Sequence, residues 1–186
     1  MRSAPENSTI LAFGDSLTYG FGTRRPEEES YPAVLAKLTG QKVVNAGVNG
    51  ETTEEGLQRI DELLRRIHPG VTVLCLGGND LLQGMPRTHI RENLKRLIEK
   101  IRASGSQMLL VAVPDFALLG LRALPLYNSL AEEFDLPLES DALPEILAEP
   151  RLKSDSIHPN AQGYRKMAEA IAASLKKAGM LKEKEK

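Results

Sequence analysis

The 186-residue chain is long enough for one domain with a sizeable core, and its 41% hydrophobic and 26% charged residues are an ordinary globular balance. A formal net charge of −1 supplies no basic field for nucleic acid or an anionic membrane, and 4% aromatics without Trp argues against a base-stacking platform. No run reaches the ~18 apolar residues of a membrane helix, so no stable membrane insertion is expected, and the one cysteine, Cys75, excludes an internal disulfide.

Residues 1–8 are polar and contain no apolar signal-peptide core. The chain as given reads as cytoplasmic, or as periplasmic or secreted if a signal peptide has been removed. The first strand is expected at residues 9–13, followed by a helix at 31–38 and a second strand at 42–45. Residues 53–67 place Leu57, Ile60, Leu63, Leu64 and Ile67 on one helical face. A third strand is expected at 71–76, where Cys75 reads as a buried, inert thiol. Ile90, Leu94, Leu97, Ile98 and Ile101 form the next helical stripe, ended by Gly105. A fourth strand follows at 108–113, and residues 136–139 make a short fifth whose proline suits an edge. Shorter helices are expected at 124–134 and 143–147, and a final one at 161–178, stopped by Gly179.

The strand candidates are apolar on both faces, as strands buried in a parallel sheet are. Alternating β and α segments predict an α/β fold, a three-layer α/β/α sandwich around a parallel sheet of about five strands. One domain is expected over residues 1–181, with a charged, frayed tail at 182–186.

In such sheets functional groups gather beyond the carboxyl ends of the strands. Small and polar residues stand at three of these ends: Gly14-Asp15-Ser16-Leu17, Ala46-Gly47-Val48-Asn49-Gly50 and Gly77-Gly78-Asn79-Asp80. Acyl transfer needs a nucleophile, a base, a group that orients the base, and donors for an oxyanion. Ser16 is the candidate nucleophile; alone it reads equally as a helix N-cap. Of the three histidines, His68 and His89 look like surface residues. His158 lies three residues after Asp155, close enough for one turn to bring the carboxylate to Nδ1 and leave Nε2 free. Pro159 biases His158 toward an extended turn. The Ser16 and Gly47 backbone N–H groups and the Asn79 side-chain amide are candidate oxyanion donors. Singly, Gly47 reads as a tight βα turn and Asn79-Asp80 as an Asx turn.

Gly14-Asp15-Ser16-Leu17 resembles the GDSL signature of the SGNH hydrolase superfamily. Ser16, Gly47, Gly77-x-Asn79-Asp80 and Asp155-x-x-His158 match its four blocks in order, over residues 14–158. The resemblance implies a flavodoxin-like sandwich, Ser16 as nucleophile, and His158 as base oriented by Asp155. It implies Ser16, Gly47 and Asn79 as the oxyanion hole. The chain is most similar to the small bacterial acyl-thioesterase, arylesterase and lysophospholipase branch. The substrate is then a small acyl ester or thioester, and no cofactor or metal is implied.

Two other readings compete. A nucleotide-binding module could use Gly14, Gly20 and Gly22, but neither a G-x-x-x-x-G-K-[ST] nor a complete dinucleotide fingerprint occurs. A carbohydrate O-acetyl esterase shares the same triad. Leu81, Leu82 and Met85 after Asn79, and Phe116 in the apolar segment 114–121 after the fourth strand, point instead to an acyl groove. Packing of these side chains on the core is the competing explanation. Chain length, leaving group and oligomeric state are not legible in the sequence.

Overall fold

A strand that is apolar on both faces must be covered on both, and this requirement organises the chain. The computed structural model describes residues 9–116 and 122–181. The polar start 1–8, residues 117–121 of the second apolar segment and the charged tail 182–186 lie outside the described residues. In chain order the elements are β1 (Ile10–Gly14), α1 (Ser16–Tyr19), α2 (Pro26–Glu29), α3 (Tyr31–Thr39), β2 (Val43–Gly47), α4 (Thr53–Ile67) and β3 (Val71–Cys75). There follow α5 (Gly78–Leu82), α6 (Arg87–Ala103), β4 (Gln107–Val111), α7 (Pro125–Phe134), β5 (Leu138–Glu139), α8 (Ala142–Ala148), a 3-10 turn (Pro150–Leu152) and α9 (Ala161–Lys177).

The five strands form one parallel sheet in the order β2-β1-β3-β4-β5. Right-handed crossovers put helices on opposite faces when the chain reverses its direction across the sheet. Accordingly α3 packs with α9, and α4 with α6. β1 and β3 are buried along their whole length, and a fully buried Leu or Ile side chain stabilises by about 1.5–3 kcal/mol. Cys75 is buried and unpaired, as its apolar neighbours predict. β2 departs from the expected pattern: as an edge strand it is only half-buried. The fifth strand shrinks to two residues, pairs only with β4 and starts after Pro137, which has no N–H to give a ladder.

Local signals set the long helices. Thr52 and Glu55 close a reciprocal capping box at the start of α4, and the Asn160 side chain caps Gln162 and Gly163 in α9. Three one-turn helices, α1, α2 and α5, are not visible as periodic patterns, because four or five residues carry less than two turns. The sheet order reverses at β1, so the crevice between the carboxyl ends of β1 and β3 is the topological switch point.

Candidate active site

Gly14 ends β1 because nothing larger fits. A Cβ there would lie 2.2 Å from the Cys75 carbonyl and 2.3 Å from Thr18 Oγ1. This close approach lets the chain turn at once into α1. Asp15 caps that turn, its Oδ1 accepting the Leu17 N–H at 3.0 Å. Ser16, 9% exposed, is the first residue of α1, where a backbone N–H has no partner within the helix.

The second half of the site comes from the loop between the 3-10 turn and α9. Asp155 Oδ1 accepts the backbone N–H groups of Ile157 at 2.9 Å and His158 at 2.8 Å. The same carboxylate reaches the His158 ring, with Nδ1 2.8 Å from Oδ2. The opposite ring nitrogen, Nε2, lies 3.0 Å from Ser16 Oγ. Partial burial works to raise the Asp155 pKa, but the Ile157 N–H, the His158 ring and the His158 N–H outweigh it. The carboxyl is held below its ordinary range. An ionised Asp155 places the imidazole proton on Nδ1 and leaves Nε2 able to accept one. Of the other histidines, His68 is exposed, whereas His89 is half-buried and bonds to Asn93 at 3.1 Å.

Asn79 sits in α5, beyond the end of β3. Its Nδ2 donates to Asp15 Oδ2 at 3.2 Å and to the Glu51 carbonyl at 2.9 Å. Glu51 is held in turn by Arg59, whose Nε and Nη2 each lie 2.5 Å from its carboxylate. Arg59 also donates to the Ala46 and Gly14 carbonyls at the ends of β2 and β1, and lies 4.3 Å over the Phe13 ring. One guanidinium therefore ties the ends of β1 and β2 to Glu51, whose carbonyl in turn holds Asn79 beyond β3. Asp80 is buried and accepts the Thr53 N–H and hydroxyl. Asn79 and Asp80 lie in α5, and their side chains bond to Asp15, Glu51 and Thr53, all distant in sequence, where an Asx turn bonds a neighbouring backbone group.

Asp15 is fully buried, and desolvation, aided by the Glu51 and Asp80 charges against a lowering bond from Leu17, raises its pKa from 3.8 to about 7. Sequence inspection could find Asp15, since it lies inside the GDSL signature. Glu51 and Arg59 carry no such signal, because their importance comes from a contact eight residues apart that only the folded turn creates.

Gly47 does not present a free N–H. Its N–H donates to Asn45 Oδ1 at 2.9 Å, and a Cβ would fall 2.1 Å from the Tyr19 N. The glycine serves close packing of β2 against α1, and its donor is already engaged. Three residues on, Gly50 has φ +79°, open space around it, and an N–H that makes no hydrogen bond among the described residues. The Asn79–Glu51 bond brings this turn up to the site.

The apolar candidates also divide. Leu82 and Phe116 line the shallow cleft at Ser16 and His158, which encloses only about 10 Å³. Leu81 and Met85 do not line it and pack against the core. The helical turn of α5 separates them, sending Leu81 inward and leaving Leu82 53% exposed.

The chain matches the GDSL-like Lipase/Acylhydrolase family over residues 12–166. It is 32% identical over 174 residues to the Thioesterase 1/protease 1/lysophospholipase L1 of Escherichia coli (strain K12), covering 90% of this chain and 83% of that protein. It is 31% identical over 178 residues to an arylesterase of Vibrio mimicus, covering 90% and 88%. Among solved structures, the psychrotrophic esterase EstA from Pseudoalteromonas sp. superposes with a TM-score of 0.78 at 26% identity, covering 93% of this chain and 98% of that one.

Proposed function

Because this chain belongs to the GDSL-like lipase/acylhydrolase family, we propose that it cleaves acyl esters and thioesters through an acyl-enzyme on Ser16. The observation that carries this reading is the continuous line Ser16 Oγ–His158 Nε2–His158 Nδ1–Asp155, with spacings of 3.0 and 2.8 Å. His158 takes the hydroxyl proton as Ser16 attacks the acyl carbon, then passes it to the departing alcohol or thiol. Water repeats the sequence on the acyl-enzyme and releases the acid. Asp155 keeps the imidazole in the required tautomer throughout.

The oxyanion is met by the Ser16 N–H, the Asn79 amide and, in place of Gly47, the Gly50 N–H. Both Asn79 amide hydrogens are engaged in the free protein. The longer bond, to Asp15, is the one that a developing oxyanion competes with. Leu82 and Phe116 form the acyl wall. The names of the relatives support acyl substrates of this class, and one domain suffices for the chemistry.

One observation favours a second reading. The cleft at Ser16 and His158 is shallow, and a short acyl group needs less depth than a long chain, as for a carbohydrate O-acetyl esterase. Two measurements together test the proposal: fluorophosphonate labelling, mapped to Ser16, and turnover of p-nitrophenyl esters of rising chain length beside acyl-CoA and an acetylated sugar. No labelling of Ser16 overturns the serine mechanism, and turnover confined to the acetylated sugar selects the second reading.

A further inference from the structure

Gly20, Phe21 and Gly22 form the turn that leaves α1. Both glycines have positive φ, +99° and +96°, a conformation that a side chain opposes. The turn is firmly held. The Phe21 N–H donates to the Ser16 carbonyl at 3.1 Å, and the Tyr164 hydroxyl donates to the Phe21 carbonyl at 2.8 Å. Gly22 lies so close to the base-carrying loop that a Cβ would fall 2.1 Å from Ser154 Oγ and 2.8 Å from the Pro159 carbonyl. Despite this anchoring, the Phe21 ring is 45% exposed. It lies 4.6 Å from the His158 ring, tilted by 47°.

Phe21 has company. Among the described residues, Tyr19, Phe21, Val48 and Leu82 are exposed large apolar side chains on the segments that follow β1, β2 and β3. Only Leu38, on α3, has similar exposure elsewhere. A single exposed apolar residue is ordinary, but a group on one rim marks a binding surface.

The acid–base chemistry says which part of a substrate meets Phe21. The departing oxygen or sulfur must come within ~2.6–3.2 Å of His158 Nε2 to receive its proton. The rest of the leaving group must therefore lie beside the imidazole. Asp155 occupies the Nδ1 edge, and Leu82 and Phe116 line the cleft that holds Asn79. Phe21 is not part of that cleft and flanks the ring separately. We propose that Phe21 is the wall of a leaving-group subsite that selects apolar, ring-sized alcohols and thiols. This rests on the Ser16–His158 mechanism above. The same wall receives an alcohol acceptor in the reverse step, where the acceptor gives its proton to His158 as its oxygen attacks the acyl carbon, the Ser16 Oγ–acyl bond breaks, His158 returns the proton to Ser16 Oγ, and the new ester leaves.

The test compares phenyl and ethyl butyrate in the parent, Phe21→Ala and Phe21→Tyr. Phe21→Ala lowers kcat/KM for the phenyl ester about tenfold more than for the ethyl ester, the usual scale for one lost apolar contact. Phe21→Tyr keeps the ring and the parent ratio. If Phe21 merely steadied His158, the sign would reverse, because ethoxide depends on protonation more than phenoxide does. The butyryl-enzyme is also partitioned between benzyl alcohol and methanol. Benzyl butyrate should fall about tenfold relative to methyl butyrate in Phe21→Ala, again the scale of one contact. Both products come from one intermediate, so the ratio is independent of how much protein is folded. Unchanged or reversed ratios overturn the Phe21 assignment. Turnover that survives Ser16→Ala overturns instead the serine mechanism on which it rests.

Discussion

The two halves of the site are built by different means. Ser16 and Asn79 stand at the carboxyl ends of adjacent central strands, and buried polar contacts through Asp15, Glu51 and Arg59 join them. His158 stands on a loop, and its aspartate is three residues away and 44% exposed at its side chain. The first half inherits its geometry from the sheet, so a change in the sheet core propagates to it. The second is a local turn that closes on itself through the Ile157 and His158 N–H groups, and the 3.0 Å bond to Ser16 Oγ, the Phe21 contact and the close approach of Gly22 to Ser154 and Pro159 carry it across to the first. Precision at the nucleophile comes from long-range packing; precision at the base comes from sequence-local hydrogen bonds.

The largest effect should come from cutting the bond between the halves. Ser16→Ala and His158→Ala should each lower kcat by ~10⁴-fold or more, and the double variant little further, since the two act as one unit. Additive losses in steady-state kinetics would mean that they act independently. Within the sheet-built half, Asn79→Ala should lower kcat by ~10²–10³ with little change in KM, because its amide meets charge present only in the transition state. A change confined to KM would reassign Asn79 to ground-state binding.

The buried polar network predicts a pH signature that the local turn does not share. The native Asp15 carboxyl, with a pKa of about 7, keeps a proton that the unfolded chain has lost. Asp15's contribution to stability must therefore fall as pH rises from about 4 to 7 and level off above it. Asp15→Asn cannot ionise, so its stability relative to the parent should rise by about 3 kcal/mol between pH 5 and 8. Urea unfolding at both pH values measures this, and parallel curves for the two proteins would refute the assignment. The smallest effect lies at the rim. Leu82→Asp should penalise octanoate esters far more than acetate, since each buried methylene contributes about 0.8 kcal/mol. Leu81, packed inward, should instead lower stability when changed to Asp, without altering the chain-length profile. Equal losses on acetate and octanoate in Leu82→Asp would remove Leu82 from the acyl wall.

The amino-acid sequence by itself determined the α/β alternation, the five strands to within a few residues and the long helices. These depend on apolar periodicity and end-capping, which are properties of neighbouring residues. It also carried the Asp155–His158 pair, because a carboxylate and an imidazole three residues apart need only one turn to meet. The roles of Gly47 and Gly50 were not legible. Gly47 ends β2 and Gly50 stands three residues later, and which N–H is engaged depends on the Asn45 side chain and on the approach of Tyr19 from α1. Nor could sequence separate Leu81 from Leu82, because α5 is a single turn, begun on glycine and asparagine, that tertiary bonds to Asn79 and Asp80 hold in place. Tertiary structure alone decided the contact of Arg59 with the ends of β1 and β2 and the placement of Phe21 on His158. Both join segments distant in sequence, and the chain pattern of either partner carries no trace of the other.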